Sequence, residues 1–306
     1  MKLAQLGPLI REGSAKNIYR VDATDIAFRF TDDFSVFDVG KTGYQIPGKA
    51  QAVCACAVKS FNIARQIGVP THFVEQLDHI TVRVKEAQVI TNRALTITDE
   101  NYVVPAEWIY RLCVAGSIDR DFRSGKKRPS DYGLPADKIP EVGAPFPYPV
   151  HHFTTKFEDF DREVTNEEVC AIAGISVQDQ GHYWSMIDRL TGAMALVLAR
   201  AGYALLDGKM ECLMGPGRVK LIGDVFGTPD EDRFVPLNEL RRGIIEHHSK
   251  EYIRQILIQQ GYYDKLMEAR KKNQPDPPIP PLSEKIISEI SWRYKSAAEA
   301  YAQVRL

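Results

Sequence analysis

The stretch from Tyr203 to Arg233, YALLDGKMECLMGPGRVKLIGDVFGTPDEDR, constrains the fold more than any other. Two apolar runs joined by a Gly-Pro-Gly turn predict an antiparallel hairpin, and a strand has only two faces. Asp207, Lys209 and Glu211 fall on one face, and Gly208, Met210 and Cys212 on the other. A turn of two or four residues around Gly215, Pro216 and Gly217 puts Asp224 on the charged face too. One reading of that face is a solvated outer surface, which strand alternation produces routinely. The other is a cluster of three carboxylates around one ammonium. Leu205 and Ile222 beside the charges favour the cluster, since an exposed face favours Thr, Lys and Glu throughout. An oxygen-rich, net negative cluster on a rigid hairpin suits Mg²⁺, which takes one or two carboxylates plus substrate phosphates. Lys209 then answers the phosphates or a substrate carboxylate.

The remaining pattern sets the fold class. Asn17–Gly40 reads as three short strands, NIYRVD, DIAFRF and SVFDVG. Lys49–Ile67 carries a helical stripe of Val53, Ala57, Phe61 and Ala64, ended by Gly68 and Pro70. Strands follow at THFVEQ, HITVRVK and WIYRLCVAGS, and a polar stretch from Asp119 to Val150 reads as the longest loop. Thr165 and Glu168 form a capping box for a helix through Ala173. Ser176 opens a longer helix through Arg200, closed by Gly202. A helical segment spans Leu237 to Gly261, and the proline-rich QPDPPIPPLSE runs extended. Ser283 caps a last helix that buries Ile286, Ile287, Ile290, Tyr294 and Tyr301. Strands first and mixed helices later argue for an α+β protein rather than a doubly wound sheet.

Composition excludes several classes. With 39 basic and 40 acidic residues, net charge −1, no global field draws the chain to nucleic acid or to an anionic membrane. Five cysteines, odd in number, lying mostly in apolar runs and forming no CxxC pair, fit reduced thiols rather than disulfides or structural zinc. No apolar run approaches a membrane span, and the first residues lack a leader's apolar core, so the sequence places the protein in the cytoplasm. Neither GxGxxG nor GxxxxGK[ST] occurs, the histidine pairs 151–152 and 247–248 are too close in sequence to share a ligand, and no GxSxG elbow appears.

Four features remain, in this order: REGSAKNIY, PAEWIYRLCVAGS, FTTK, and the charged hairpin with its TPDEDR tail. Their order resembles the SAICAR synthetase family, and the likeness extends through SVFDVG, IPGKA, GVPTHFVEQL, YGLP, KEYIRQ and RYKSAAEAY, nearly the whole chain. The resemblance implies a small N-terminal antiparallel sheet with one helix, like a kinase N-lobe, over residues 1–85. Residues 86–306 would form a larger α+β domain of ATP-grasp type, with ATP between the two. It implies an ATP-dependent ligase that joins L-aspartate to carboxyaminoimidazole ribotide through an acyl phosphate, in purine biosynthesis. Its partners would be small molecules, with a homo-oligomer left open.

Residue by residue, the resemblance puts Gly13, Ser14, Ala15 and Lys16 at the ATP phosphates and Glu211 and Asp224 on Mg²⁺. Asp161, Asp207 and Lys209 take the catalytic positions. Arg111, Ser117, Lys156, Asp230, Arg233 and Arg254 meet the substrates. The chain departs from the family at Ser14, where a lysine is usual, at Val225, where a glutamate is common, and at Phe160, where a histidine often stands. A paralogue acting on a related heteroaryl carboxylate nucleotide, or a nucleotide-binding protein without catalysis, are the alternatives. A hydroxyl kinase ranks below both, because no HRD-type loop is present.

Overall fold

The computed structural model describes residues 6–158 and 161–306, and Phe160 lies outside them. Strands β1 (Leu9–Glu12), β2 (Lys16–Arg20), β3 (Asp25–Phe30), β4 (Phe73–Asp78) and β5 (Thr81–Lys85) form an antiparallel sheet in the order β1-β2-β3-β5-β4. Helix α1 (Lys49–Gln66) packs against it, and the expected stripe of Val53, Ala57, Phe61 and Ala64 is buried. The Asp32 carboxylate accepts from the N–H groups of Gly48 and Ala50 at 3.2 and 2.9 Å, answering donors that the first turn of α1 leaves free.

The second sheet comprises β6 (Tyr102–Cys113), β7 (Pro145–Thr155), β8 (Glu163–Val164), β9 (Tyr203–Met214), β10 (Lys220–Gly223) and β11 (Asp232–Pro236). Its order is β10-β9-β6-β7-β8, with β11 also pairing β9. Around it lie α2 (Ser117–Arg123), α3 (Asn166–Ala173), α4 (Val177–Arg200), α5 (Leu237–Arg241), α6 (Glu251–Gln259), α7 (Tyr262–Lys271) and α8 (Glu284–Ala302). One face of β6 and β9 is apolar and buried: Trp108 packs its ring on Phe153, Tyr183 and Trp184 at 4.7, 5.1 and 4.9 Å. Alternation therefore turns Glu107, Arg111, Asp207, Lys209 and Glu211 to the opposite face.

Both helices are capped where expected, but the box at Thr165 has one arm only, because the Glu168 carboxylate pairs with Arg162 instead of reaching back. Thr165 accepts from Glu168 N–H, and Ser176 and Asp179 form a reciprocal box. Ile290, Tyr294 and Tyr301 are buried on α8, with Ile286 and Ile287 packed beside them.

Four expectations need correction. SVFDVG forms no strand: Phe37 and Asp38 adopt left-handed φ of 50° and 58°, which breaks pleated alternation, and the segment is a turn. The polar stretch 119–150 contains most of α2, a 3₁₀ turn at Pro129–Tyr132 and the start of β7, because Ile118, Phe122, Phe146 and Val150 supply a small core of their own. The segment from Leu237 to Gly261 is two helices, interrupted where Gly243 takes φ 75°. The turn of the charged hairpin has five residues, Gly215–Val219, so Ile222 pairs Cys212 and Gly223 pairs Glu211. That register puts position 224 in line with Met210, on the apolar side. Asp224 escapes this parity because the strand ends at Gly223 and Asp224 itself takes φ 48°.

Gly208 illustrates how tightly β9 is held. It pairs Tyr110 on one side and Asp232 on the other, and the Tyr110 hydroxyl reaches across the bare backbone to donate to the Asp232 carboxyl. A Cβ at 208 would lie 1.9 Å from Asp232 Oδ1. Gly208→Ala is therefore expected to destabilise by roughly 3 kcal/mol, from overpacking plus a broken buried hydrogen bond. Urea unfolding measures this, and a loss below about 1 kcal/mol would show that the pair relaxes freely.

Candidate functional site

The site's floor is one face of three adjacent strands. Register places Glu107 opposite Glu211, Ile109 opposite Lys209 and Arg111 opposite Asp207, and on the other side Thr154 opposite Glu107. Lys156 follows two residues beyond Thr154, just past the end of β7.

At one end, four charges interlock. Lys16 donates to Asp224, Lys156 donates to Glu211, and the two carboxyl groups face each other. Burial, then the neighbouring Asp224, pushes the Glu211 carboxyl up. For Asp224, burial acts the same way, but Lys16 and Lys156 outweigh it and hold the group well below the usual carboxylate range. The hairpin between β1 and β2 delivers Lys16. Gly13 N–H donates to Lys16 O at 3.1 Å, leaving Ser14 and Ala15 as a two-residue tip. A Cβ on Gly13 would come within 2.4 Å of that oxygen, so the tight turn needs glycine.

The middle holds Lys209, whose ammonium lies 2.6 Å from Glu107 and 3.4 Å from Glu231. Burial works against its charge, but these two carboxylates keep it protonated. Asp161 is raised to about 6, by burial first and then by Glu107 and Asp38. The left-handed turn at Phe37–Asp38 thus contributes a carboxylate that the strand expectation hid.

At the far end Asp207, 1 % exposed, is held between two guanidiniums. Arg111 Nη1 donates to Asp207 at 2.6 Å and Nη2 to Ser117 Oγ at 2.8 Å. Arg233 Nη1 donates to Asp207 at 2.8 Å and Nη2 to Glu251 at 2.9 Å. Arg254 lies 3.6 Å from Glu251. Gly116 takes φ 63° with Arg233 where a Cβ would stand, so the glycine makes room for the guanidinium. The Nε–H groups of Arg111, Arg233 and Arg254 are buried with no protein acceptor.

Thus Arg111, Ser117, Asp207, Arg233 and Arg254 come together at one end. Lys16, Lys156, Glu211 and Asp224 come together at the other, with Lys209 and Asp161 between. Asp230 joins neither group: it is buried against Lys49 of α1 at 2.8 Å and Tyr294 of α8 at 2.7 Å, pinning the loop between β10 and β11. Val225 is buried in the apolar core and gives the cleft no charge. Sequence reasoning missed Asp38, Glu107, Glu231 and Glu251. Glu107 had a signal, since it sits at alternate spacing from Arg111 in the same strand. Among the described residues, no three or more His, Cys, Asp or Glu side chains form a metal cage of their own. Nor, among the described residues, is any helix long and apolar enough to cross a membrane.

Comparison with known proteins supplies the family. The SAICAR synthetase family model matches residues 9–269. The phosphoribosylaminoimidazole-succinocarboxamide synthase of Thermoplasma acidophilum is 34% identical, covering 95% of this chain and 97% of its own. That of Thermoplasma volcanium is 33% identical over the same shares. A SAICAR synthase from Saccharomyces cerevisiae, complexed with SAICAR, superposes with a TM-score of 0.71 at 18% identity, covering 100% of this chain and 98% of the other. A SAICAR synthetase in complex with ADP gives 0.69 at 18% identity, covering 97% and 98%. These neighbours share the ATP-grasp-like α+β fold. By family model and by identity over nearly its full length, this chain belongs to the SAICAR synthetase family.

Proposed function

We propose that this chain is an ATP-dependent carbon–nitrogen ligase that joins L-aspartate to the carboxylate of carboxyaminoimidazole ribotide, a step of purine biosynthesis in the cytoplasm. One observation carries the reading for this chain's own residues. A single sheet face has a lysine-neutralised carboxylate pair at one end and arginines with unpaired buried N–H groups at the other.

The arginine end suits the ribotide. Arg111, Arg233 and Arg254 offer planar donors to its phosphate, Ser117 adds a hydroxyl, and Asp207 fixes the two inner guanidiniums. The carboxylate end suits nucleotide phosphates with a divalent cation. Lys16 and Lys156 already act there as counter-cations to Glu211 and Asp224, so this carboxylate pair fits a divalent cation and would hold Mg²⁺. When bound, Mg²⁺ would neutralise charge on the phosphates. Lys16, released from Asp224, and Lys156 would then turn to the transferring phosphoryl group.

The ribotide carboxylate oxygen attacks the γ-phosphorus of ATP, ADP leaves, and an acyl phosphate results. The amine of aspartate attacks its carbonyl carbon, the C–O bond to phosphate breaks, and an amide and inorganic phosphate form. Lys209 stabilises the oxyanion of this step. Asp161 accepts the proton lost by the amine. The chain's share is mostly positioning and charge neutralisation.

Purified protein with ATP, Mg²⁺, aspartate and the ribotide should release ADP, phosphate and the succinocarboxamide in equal amounts. ADP release without amide, or preference for another amine, would replace this reading with the paralogue. With Asp161 at about 6, its base form prevails above that pH and is lost below it. At saturating Mg²⁺, where protonation of Glu211 no longer limits metal binding, the rate should therefore fall as pH drops through about 6, and Asp161→Asn should lower turnover by roughly 100-fold at pH 8 and remove that acid limb. An acid limb that persists unchanged in the variant would give the base role to another group.

Ser14 offers a separate check at the nucleotide end. It adds no charge at the hairpin tip, so backbone N–H groups and Lys16 carry the phosphate contacts. Ser14→Lys should tighten ADP binding at low ionic strength, with the gain shrinking as salt rises. Calorimetry that finds no change across a salt series would move the tip away from the phosphates.

A further inference from the structure

The left-handed backbone at Asp224 calls for an explanation. A non-glycine residue in this region is strained and persists only where its surroundings impose it. The surroundings here come from the first lobe. Pro70, Thr71 and His72, between α1 and β4, run parallel to the end of β10: Ile222 N–H donates to Pro70 O at 3.0 Å, and His72 N–H to Ile222 O at 3.3 Å. The His72 ring then reaches one step further, with Nε2 3.0 Å from Asp224 O. A carbonyl oxygen only accepts, so Nε2 carries the proton and donates. The ring is caged by Phe28 and Phe61, at 5.6 and 6.0 Å between centroids. Its backbone is fixed by Lys85 N–H donating to His72 O at 2.8 Å. Phe28 also lies 4.8 Å beneath the Lys16 ammonium, so one aromatic wall supports both Lys16 and the histidine.

We propose that His72 is a positioning residue for the metal carboxylate: by donating to Asp224 O it holds the residue left-handed and so turns its carboxylate toward Glu211. Strand parity alone would send that side chain to the apolar face of β10. His72 thereby makes the first lobe, which covers the nucleotide, part of the support for a cation ligand on the second sheet. The inference rests on the reading of Glu211 and Asp224 as Mg²⁺ ligands, and its test separates the two.

The test compares His72→Gln with His72→Met, which are close in size and differ in the donor. Binding of Mn²⁺ to the ADP complex is followed by electron paramagnetic resonance, and ADP affinity without metal by calorimetry. Loss of a residue that orients a ligand costs about 10- to 100-fold in metal affinity. His72→Met is therefore expected to weaken Mn²⁺ binding at least 10-fold and leave metal-free ADP affinity within about 2-fold, while His72→Gln recovers most of the loss. Equal Mn²⁺ affinity in the two variants, or an equal fall in metal-free ADP binding, would overturn the proposal. So would failure of both variants to fold, which would make His72 a core residue only. Asp224→Asn in the same assay tests the underlying reading: if it leaves Mn²⁺ binding intact, the metal assignment fails, whereas a loss there with none in His72→Met overturns the positioning role alone.

Discussion

Glu211→Gln and Asp224→Asn are each expected to lower turnover by roughly 100-fold or more while leaving the fold intact, because each removes charge from a preorganised site. The two carboxyl groups face each other, and each already carries a lysine as counter-cation. Either substitution leaves one carboxylate to serve two lysines and a cation. The lysine freed by the change is not trapped, since the side chains of Lys16 and Lys156 are 20% and 18% exposed and can turn to water, so stability should fall little. Because Glu211 is held up by burial and by its neighbour, binding a cation must displace its proton. The benefit of Mg²⁺ should therefore weaken as pH falls below neutrality. Turnover measured against Mg²⁺ concentration checks this, with circular dichroism as the folding control. Near-normal turnover of both variants at limiting Mg²⁺ would take the metal away from this pair.

The hairpin made much of this site legible, and its parity argument shows where legibility ended. Alternation alone grouped Asp207, Lys209 and Glu211, and alternation is what the structure keeps, since β9 holds unbroken register with β6 through all three. Asp224 reached the cluster for a different reason. A five-residue turn reversed the expected parity, and a left-handed residue reversed it again. Turn length cannot be read from Gly-Pro-Gly, and a positive φ at aspartate depends on a histidine more than a hundred residues away in sequence. The same limit applies at SVFDVG. Its apolar alternation reads as a strand, but the backbone turns at Phe37–Asp38, where Arg270 donates to Phe37 O at 2.9 Å and Tyr263 packs on the Phe37 ring at 5.1 Å. Helices were easier, because the caps at Thr165, Ser176 and Ser283 are local side-chain events. Glu251 escaped notice for the opposite reason: it matters only through a partner brought to it by the fold.

Asp207→Asn is expected to destabilise the protein by about 3–5 kcal/mol, the cost of leaving a buried cation without its counter-charge. Arg111 is 5 % exposed, and its other partners, Ser117 Oγ and Ala115 O, are neutral. Arg233 keeps Glu251, so the deficit falls mainly on Arg111. Burial already pulls the Arg111 guanidinium down from its ordinary value, and Asp207 is the main group opposing that pull. Two further outcomes separate charge pairing from packing. Adding Arg111→Met to Asp207→Asn should restore part of the loss, because the stranded charge is gone, whereas a packing defect would only deepen. A phosphate anion, the group the arginines are proposed to hold, should also stabilise the single variant more than the parent. An anion bound only to the folded state at about 100 times its Kd contributes about 2.7 kcal/mol. Urea unfolding with and without phosphate reads both effects. A loss under about 1 kcal/mol, with no added response to phosphate, would mean that Asp207 is dispensable as a counter-ion and that the arginine end is held together by other contacts.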